Sequence, residues 1–293
     1  MRYGNDIMPW IPANKFSPPR SAGDRILHRA ALVKEDDFQY TIIIAQPGQG
    51  KTTTAIQFLA ASETTFIWYQ IGFEDRDPFY FLAALLEGIS RTFTDFCCTR
   101  LAALLKTAAL SSGDISRPVN ILFSDLKEHL NEEDCRFVFD DLHLLDDAPQ
   151  TLAILDYMLE TAPVNISFLL LSRRPLALHS KRLRFGASTR YLGNSDLAFS
   201  HKETGQLVEI LEKAPPDSRT IGQLLQQSRG WVLGLVMAIS SRSGSDHVSK
   251  RYFDKQMSDF FEEEVLGHFD EDLQRILITL SLFDVIDVRW QPR

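Results

Sequence analysis

The sequence has too few cysteines to support a disulfide framework or a cysteine-based metal site. Only three occur in 293 residues, with Cys97 next to Cys98 and Cys135 alone. Disulfide-rich domains and structural zinc sites need several cysteines at set spacings. We therefore interpret all three as structural residues of a protein from a reducing compartment.

Long hydrophobic runs and an excess of positive charge are also absent. No stretch approaches the ~18 apolar residues of a membrane span, and the first residues, MRYGNDIMPWIPANKF, lack the apolar region of a signal peptide. The 31 basic and 39 acidic residues give a formal net charge of −8, which disfavours general affinity for nucleic acid. We therefore expect a cytoplasmic chain, long enough for two domains, that binds neither membranes nor DNA directly.

Runs of β-branched and aromatic residues predict four buried strands. They are TIIIA at 41–45, TFIWYQI at 65–71, RFVFD at 136–140 and ISFLLLS at 166–172. Helical patterns lie between them, including a long one at about 77–131, and apolar runs separated by helices are typical of a parallel sheet buried on both faces. We therefore predict an α/β doubly wound domain, whose ligand lies at the carboxyl ends of the strands.

A glycine-rich loop between the first strand and the following helix predicts a phosphate site. The stretch Ala45-Gln-Pro-Gly-Gln-Gly-Lys-Thr52 matches the P-loop pattern, except that Ala45 replaces its first glycine. In such loops main-chain N–H groups and a lysine bind phosphate, and a hydroxyl binds Mg²⁺. The alternative is an ordinary turn with a surface lysine. The residues predicted to bind a nucleotide are Pro47, Gly48, Gln49, Gly50, Lys51, Thr52 and Thr53, with Thr52 also a Mg²⁺ ligand.

Two adjacent acidic residues at the end of the third strand are candidates for metal binding and catalysis. We expect Asp140, the last residue of the strand, to coordinate Mg²⁺ through water together with Thr52. Asp141 is placed to orient or deprotonate an attacking water, while Lys51 stabilises charge on the phosphates. The alternative is a pair of solvated acids in a turn.

The fourth strand ends in Ser-Arg173-Arg-Pro, at the same edge of the predicted sheet. The guanidinium of Arg173 is a candidate for contact with the γ-phosphate, although two arginines in a surface loop would give the same sequence. The N-K-x-D pattern of guanine-specific proteins does not occur, because the pair Asn14-Lys15 is not followed by an aspartate at the required place. We therefore expect ATP rather than GTP.

Helices alone are predicted after Tyr191. The stretch Ser200-His-Lys-Glu203 is typical of a capping box, in which both side chains satisfy donors at the start of a helix. Helical patterns cover about 201–213, 218–227, 230–242, 250–267 and 271–282. A second, all-helical domain is therefore predicted to begin near Ser200.

Several stretches together resemble the MalT-like (LuxR-family) transcriptional regulators, which contain signal-transduction ATPases of the STAND class. The most specific stretches are Asp140-Asp-Leu-His143, Leu197-Ala-Phe199 followed by Glu203, and the pair Gly230-Trp231. The others are Lys15–Arg20, Pro47–Thr52, Trp68-Tyr69, Leu171–Arg173 and Glu263–Leu266. The resemblance covers nearly the whole chain.

The resemblance implies three domains. They are a P-loop nucleotide-binding domain of the AAA+/STAND type over residues 1–197, a small all-α domain over 198–269, and the first helix of a truncated winged-helix domain over 270–293. It also implies that Arg20 and Gly230 lie on the base and sugar side of a nucleotide, with ATP or ADP and Mg²⁺ as ligands. The chain then looks like the N-terminal fragment of a longer regulator or a natural short form. Self-association or a regulatory protein partner would use segments beyond it.

Three functions remain open from the sequence. In the first, ATP and ADP hold the two domains in different arrangements, and slow hydrolysis resets this switch. In the second, the P-loop transfers phosphate to a small substrate, with the basic segment at 180–190 as a lid. In the third, the chain binds nucleotide without hydrolysing it. The family resemblance favours the switch.

Overall fold

A parallel five-stranded sheet forms the centre of the first part of the chain. The computed structural model describes residues 9–20, 26–30, 32–33, 38–106, 115–243, 258, 262 and 266–281. The strands are β1 (Tyr40–Ile44), β2 (Thr65–Gln70), β3 (Cys135–Asp140), β4 (Ile166–Ser172) and β5 (Thr189–Leu192). Their order is β2-β3-β4-β1-β5, and every neighbouring pair is parallel. The carboxyl ends of all the strands therefore share one edge.

Helices connect the strands and cover the sheet. They are α1 (Lys51–Ala60), α2 (Pro78–Thr92), α3 (Thr99–Lys106), α4 (Ser116–Leu130), α5 (Pro149–Thr161), α6 (Lys181–Phe185) and α7 (Asn194–Leu197), with short 3-10 helices at Ala13–Phe16, Phe73–Arg76 and Leu142–Leu145. The long helical pattern at 77–131 divides into α2, α3 and α4. The α/β fold with a parallel sheet is the one that the sequence predicts.

Successive residues of the central strands pack into two different apolar cores, one on each face of the sheet. In β4, Phe168 and Leu170 belong to the larger core, whereas Leu169 and Leu171 belong to the smaller one. β3 alternates in the same way. Because side chains of a strand point alternately to its two faces, burial of both faces requires a continuous apolar run.

β5 is the strand that the hydrophobic pattern does not predict. Its sequence TRYL is short and contains a charged residue, and it lies at an edge of the sheet, where Tyr191 is 56% exposed. Main-chain pairing with β1 defines the strand instead of an apolar run. The basic segment at 180–190 forms α6 and the start of β5.

After α7 the described chain is helical only. α8 (His201–Glu212), α9 (Ser218–Ser228) and α10 (Val232–Ser243) pack around a third apolar core that includes Leu207, Leu224 and Leu235. The predicted capping box is present at the start of α8: the Glu203 N–H donates to Ser200 Oγ (3.3 Å), and the Ser200 N–H donates to Glu203 Oε2 (2.9 Å).

The last described residues form one further helix. The helix predicted at 250–267 lies largely outside the described residues. A 3-10 turn at Leu266–His268 precedes α11 (Glu271–Leu280), which agrees with the helix predicted at 271–282. The domain boundaries at 197/198 and 269/270 stay predictions. Across the described ranges, none of the helices has the length and apolar character needed to cross a membrane.

A buried ion pair fixes the N-terminal segment to the sheet domain. Lys15 Nζ lies 2.5 Å from Asp75 Oδ2, and Asp75 is fully buried. The same carboxylate accepts hydrogen bonds from the Tyr69 hydroxyl (2.5 Å) and the Gly72 N–H (2.6 Å). Removing either ion therefore leaves the other charge buried without compensation.

Asp75→Asn is expected to destabilise the chain by about 3–5 kcal/mol, because the Lys15 ammonium group loses its buried counter-charge. Urea unfolding followed by circular dichroism measures the change. Glu87→Gln is the matched control, since Glu87 forms an exposed i,i+4 pair with Arg91 at 2.8 Å, and such a pair contributes less than about 1 kcal/mol. Equal effects of the two substitutions would contradict the importance of burial.

Candidate nucleotide site

The glycine-rich loop joins β1 to α1 in a conformation that glycine adopts most easily. Gly48 and Gly50 have φ values of 71° and 88°, in the left-handed region. Ala45, where the P-loop pattern has its first glycine, has no positive φ, and it is 1% exposed. That position accommodates a methyl group, so the departure from the pattern does not disturb the loop.

The first residue of α1 directs its ammonium group into the loop. Lys51 Nζ donates hydrogen bonds to the main-chain carbonyl oxygens of Ala45 (2.8 Å) and Gln46 (3.3 Å), and the residue is 7% exposed. The N-terminus of α1 adds the positive end of its dipole. A phosphate group is complementary to this combination of positive charge and donors.

A hydrogen bond connects the start of α1 to the end of β3. Thr52 Oγ1 donates to Asp140 Oδ2 over 2.9 Å, and the Asp141 N–H donates to Asp140 Oδ1 over 2.9 Å. Burial of Asp140, and then the neighbouring charge of Asp141, raise the pKa of the Asp140 carboxyl from 3.8 to about 6. A cation beside this carboxylate would offset the cost of ionising it.

The donors at this position fit Mg²⁺. The hydroxyl of Thr52 and the carboxylate of Asp140 are hard oxygen donors, which Mg²⁺ prefers. Within the described part of the chain, no group of three or more His, Cys, Asp or Glu side chains is placed to hold a metal ion. Phosphate and water oxygens would therefore complete the coordination, as is usual for Mg²⁺ bound with a nucleotide.

Asp141 follows β3 in a left-handed conformation, with φ of 59°, which is uncommon for a residue other than glycine. Its Oδ2 accepts a hydrogen bond from Gln70 Nε2 over 2.6 Å, and its Oδ1 lies 3.8 Å from His143 Nδ1. The carboxylate therefore has a fixed orientation at the carboxyl edge of the sheet, one residue beyond the candidate metal ligand.

Gln70 is a site residue that the sequence motifs do not indicate. It is the last residue of β2 and pairs in register with Asp140 of β3, so its side chain reaches Asp141. A polar residue at the end of an apolar strand is the only signal in the sequence. Gln70 can be assigned to the site only once β2 and β3 are known to be neighbouring strands.

Arg173 lies at the same edge of the sheet as the P-loop. It follows β4, which is placed between β3 and β1, and it is half-buried. The next residue, Arg174, forms an ion pair with Asp146. Contact between Arg173 and a γ-phosphate stays a prediction.

The helical domain rests directly on the glycine-rich loop. Trp231 Nε1 donates a hydrogen bond to Pro47 O (3.0 Å), and the Leu233 N–H donates one to Gly48 O (3.0 Å). A β-carbon on Gly48 would lie 2.7 Å from Leu233 Cβ. Glycine is therefore required at Gly48 by this contact as well as by its φ.

Gly230 links the loop to the residues before α8. Its φ is 78°, and a β-carbon there would lie 2.9 Å from Phe199 O. Gly230 O accepts hydrogen bonds from Gln49 Nε2 (3.4 Å) and from the Phe199 N–H (3.0 Å). Gly230 thus lies beside the loop, and its contact with a nucleotide stays a prediction.

A cavity of about 740 Å³ lies between the loop, the N-terminal segment and the helical domain. This volume is within the range of small-molecule sites. Its lining includes Gln49, Gly50, Thr52 and Thr53 at the loop, Arg20 and residues 26–29 of the N-terminal segment, Ile56 and Gln57 of α1, and Leu207, Leu211, Val232 and Val236 of the helical domain. Several of the residues predicted to bind the phosphates, and Arg20, therefore border one cavity.

Comparison with known proteins identifies relatives among transcriptional regulators. No family model matches the chain. The chain is 27% identical over 285 residues to the HTH-type transcriptional regulator MalT of Serratia proteamaculans (strain 568), and 28% identical over 284 residues to the protein of the same name from Yersinia enterocolitica, in each case over 93% of this chain. It spans about 30% of the length of these relatives. The resemblance to the MalT-like regulators is thus confirmed.

A solved structure has the same fold. The crystal structure of a Signal Transduction ATPase with Numerous Domains (STAND) protein with a tetratricopeptide repeat sensor, from Pyrococcus horikoshii, matches 94% of this chain and 37% of that one, with a TM-score of 0.54 and 16% sequence identity. At this identity the likeness concerns the fold alone. It confirms the predicted α/β fold with a parallel sheet, which this chain shares with that STAND protein.

Asp140→Asn is expected to stabilise the ligand-free protein above about pH 6. The folded protein binds the Asp140 proton more tightly than the unfolded chain, so ionisation lowers the free energy of unfolding as the pH rises from 3.8 to about 6. The substitution removes this decrease in the free energy of unfolding. A difference of about two pKa units corresponds to at most about 3 kcal/mol. Urea unfolding in EDTA near pH 4 and near pH 8 measures it.

At the lower pH the stabilisation by Asp140→Asn should largely disappear, because the wild-type carboxyl is then protonated in the folded protein. Asp147→Asn is the control, since the side chain of Asp147 is 82% exposed. A gain in stability that is the same at both pH values would show that ionisation of Asp140 is not its cause.

Gly48→Ala is expected to destabilise the chain by roughly 1–3 kcal/mol, because it combines a left-handed residue with overpacking against Leu233. A β-carbon at residue 48 would also lie 2.8 Å from Leu233 Cδ2, an atom that Leu233→Ala removes. Gly48→Ala should therefore lower the free energy of unfolding by less in the Leu233→Ala variant than in wild type. Gly222→Ala is the matched control: Gly222 lies in α9, where a β-carbon meets nothing within 4 Å, so we expect a gain of about 0.5–1 kcal/mol. Thermal and urea unfolding of the four variants measure these differences.

Proposed function

We propose that this chain is the nucleotide-binding ATPase module of a regulator similar to MalT, and that bound ATP or ADP sets the position of the helical domain. The observation that carries the proposal is the P-loop itself. It brings together Lys51, Thr52 and Asp140, of which Thr52 lines the cavity, and its carbonyl groups also contact the helical domain. The similarity to relatives named MalT supports a role in regulation.

The phosphates are bound by the P-loop, and the base and sugar occupy the rest of the cavity. Lys51 neutralises phosphate charge, while Thr52 and Asp140 hold Mg²⁺. When bound, Mg²⁺ supplies positive charge that stabilises the phosphate oxygens. Arg20 lines the cavity beyond the loop, which supports its assignment to the base and sugar side.

Hydrolysis depends on residues at the carboxyl edge of the sheet. Asp141 orients the attacking water and accepts its proton, and Gln70 fixes the Asp141 carboxylate for this task. Lys51 stabilises the charge that develops on the phosphates, and Arg173 adds to this stabilisation. Slow turnover is expected, because a switch must remain in its ATP state long enough to act.

The switch uses the hydrogen bonds between the P-loop and the helical domain. Trp231 Nε1 and the Leu233 N–H donate to the loop carbonyl groups Pro47 O and Gly48 O. A ligand that shifts the loop therefore changes the acceptors to which the helical domain binds. ATP and ADP then favour different positions of this domain, which is a population shift between two arrangements.

In the whole regulator, partners are bound by segments other than this one. Self-association, or binding of a regulatory protein, would use other segments, and the net charge of −8 disfavours direct binding of DNA by this one. We place its action in the cytoplasm, as for a regulator of transcription.

Purified wild-type protein is expected to contain bound ADP and to hydrolyse Mg-ATP slowly. Lys51→Ala should lose both binding and hydrolysis, because the buried ammonium group is removed from the loop. Asp141→Ala should retain binding while hydrolysis falls by about 100-fold or more, the range for loss of a general base. Chromatography of the nucleotide released on denaturation, together with phosphate release from added ATP, measures both. Asp147→Ala, an exposed acid near the same edge, should behave as wild type.

Other outcomes would favour other functions. Equal hydrolysis by wild type and Asp141→Ala would overturn the role of Asp141. Binding of ATP by wild type without any hydrolysis would favour a binding module, whereas ATP consumption that small acceptors raise far above the rate with water would favour a phosphotransferase. A protein that neither binds nor hydrolyses ATP would overturn the proposal itself.

A further inference from the structure

The connection between the two domains is held by an arginine from the N-terminal segment. α7 ends at Leu197 and α8 begins at His201, and we call residues 197–200 the hinge. Arg29 Nη1 donates to Leu197 O over 2.8 Å, and Nη2 donates to Ala198 O over 3.2 Å. Two successive carbonyl groups of the hinge are thus bound by one side chain that lies 168 residues before the first of them.

Arg29 also binds the first turn of the helical domain. Its Nε donates to Glu203 Oε1 over 2.6 Å, and its guanidinium lies 4.8 Å from the centre of the Phe199 ring. The side chains of Arg29 and Glu203 are 9% and 23% exposed. A charge-assisted contact shielded from water in this way is stronger and more directional than a surface pair.

Glu203 joins this arginine to the capping box of α8. Its second oxygen, Oε2, accepts hydrogen bonds from the Ser200 N–H (2.9 Å) and the Ser200 hydroxyl (2.7 Å). Although burial acts to raise it, the pKa of Glu203 is lowered, because Arg29 and Ser200 bind the ionised form. One carboxylate therefore connects the start of α8 to Arg29.

Arg29 also belongs to the wall of the cavity. Residues 26–29 line the cavity, and Gln57 of α1 binds this stretch at two points. Gln57 Oε1 accepts the Arg29 N–H (2.9 Å), and Gln57 Nε2 donates to Leu27 O (2.9 Å). Because α1 begins at the P-loop, these hydrogen bonds connect the P-loop to Arg29 through Gln57.

Contacts form a closed series around the cavity. The series runs from α1 to Arg29 and the hinge, and continues from the Phe199 N–H to Gly230 O over 3.0 Å. It closes at the P-loop, where Trp231 Nε1 donates to Pro47 O over 3.0 Å. The contacts at the P-loop join neutral groups, whereas those of Arg29 include an ion pair, so the hinge is the more firmly held side.

We propose that Arg29 is a positioning residue that couples ligand binding in the cavity to the position of the helical domain, because it fixes the hinge to the cavity wall. The proposal rests on the proposed function, since the ligand of the cavity is taken to be a nucleotide. A ligand in the cavity changes the position of the Arg29 main chain. The Arg29 side chain, which binds the hinge and Glu203, then changes their position as well. The helical domain then moves about a fixed hinge instead of detaching from the sheet domain.

Arg29→Met tests the coupling, because it keeps the apolar part of the side chain and removes its hydrogen-bond donors. In the ligand-free protein, hydrogen–deuterium exchange is expected to become roughly 10-fold faster at the N–H groups of Phe199, in the hinge, and Leu233, at the P-loop. The dissociation of fluorescently labelled ADP with Mg²⁺ is expected to become roughly 10-fold faster as well, within the usual range of coupling between sites.

A matched control separates this effect from the general loss of an arginine. Arg182 Nη1 donates to Ala162 O over 2.8 Å, a contact between an arginine and a main-chain carbonyl group within the sheet domain. Arg182→Met should leave the exchange of Phe199 and the dissociation of ADP as in wild type. Val208, in the core of the helical domain, should keep its protection in every variant, which shows that the domain remains folded.

Coupling has a signature that a merely structural role lacks. ADP with Mg²⁺ should slow exchange at the Phe199 N–H in wild type and in Arg182→Met, but not in Arg29→Met. Arg29→Lys keeps the charge but cannot bridge the same acceptors, so it should also lose this protection. Glu203→Gln keeps an acceptor for the capping box and weakens only the ion pair, so its effect should lie between those of Arg29→Met and wild type.

The proposal is overturned if exchange at Phe199 is the same in Arg29→Met and Arg182→Met, a comparison that needs no ligand. It is also overturned if ADP protects Phe199 equally in wild type and Arg29→Met. Failure of wild type to bind ADP would instead overturn the proposed function, and the ligand-free comparison would still decide whether Arg29 holds the hinge. If Arg29→Met does not fold, Glu203→Gln replaces it in the test. The proposal is then overturned if Glu203→Gln has the same rate of exchange at Phe199 and the same rate of ADP dissociation as wild type.

Discussion

Hydrogen bonding by the carbonyl groups of the P-loop is the constraint on which the rest of the site depends. The carbonyl oxygens of residues 45–48 all accept hydrogen bonds: the first two from Lys51, the third from Trp231 and the fourth from Leu233. Donors from α1 and from the helical domain therefore hold the loop in shape before any ligand is bound, which is preorganisation in the sense used for catalytic sites. The same bonds make the loop a structural part of both domains.

The carboxyl edge of the sheet combines two features that are unfavourable in the ligand-free protein. Asp140 is a buried carboxyl with a raised pKa, and Asp141 has a left-handed main-chain conformation. Neither adds to stability, and their occurrence in adjacent residues is typical of functional sites, where the charge of a ligand offsets the cost. The positive charge of Lys51 acts on Asp140, so the candidate site combines both signs of charge, which suits the phosphate and metal of the proposed ligand.

Local signals in the sequence were sufficient for the P-loop, the strands β1 to β4 and the capping box, because each depends on residues close together in the chain. β5 was missed because pairing with β1, and not an apolar run, defines it. Gln70 and Arg29 were missed because their partners, Asp141 and Glu203, lie 71 and 174 residues away. Glu203 illustrates the limit: its capping role is local and predictable, whereas its pair with Arg29 follows from how the domains pack.

The walls of the cavity come from parts of the chain that are far apart in the sequence, namely the N-terminal segment, α1 and the helices α8 and α10. During synthesis the P-loop leaves the ribosome long before Val232 and Val236, which also line the cavity. In a growing chain the loop is therefore made before the cavity can be enclosed, and the nucleotide of the proposed function would exchange freely with the cell until α10 has been made. Under the proposed function, folding of the helical domain onto the loop would be the step that encloses the nucleotide.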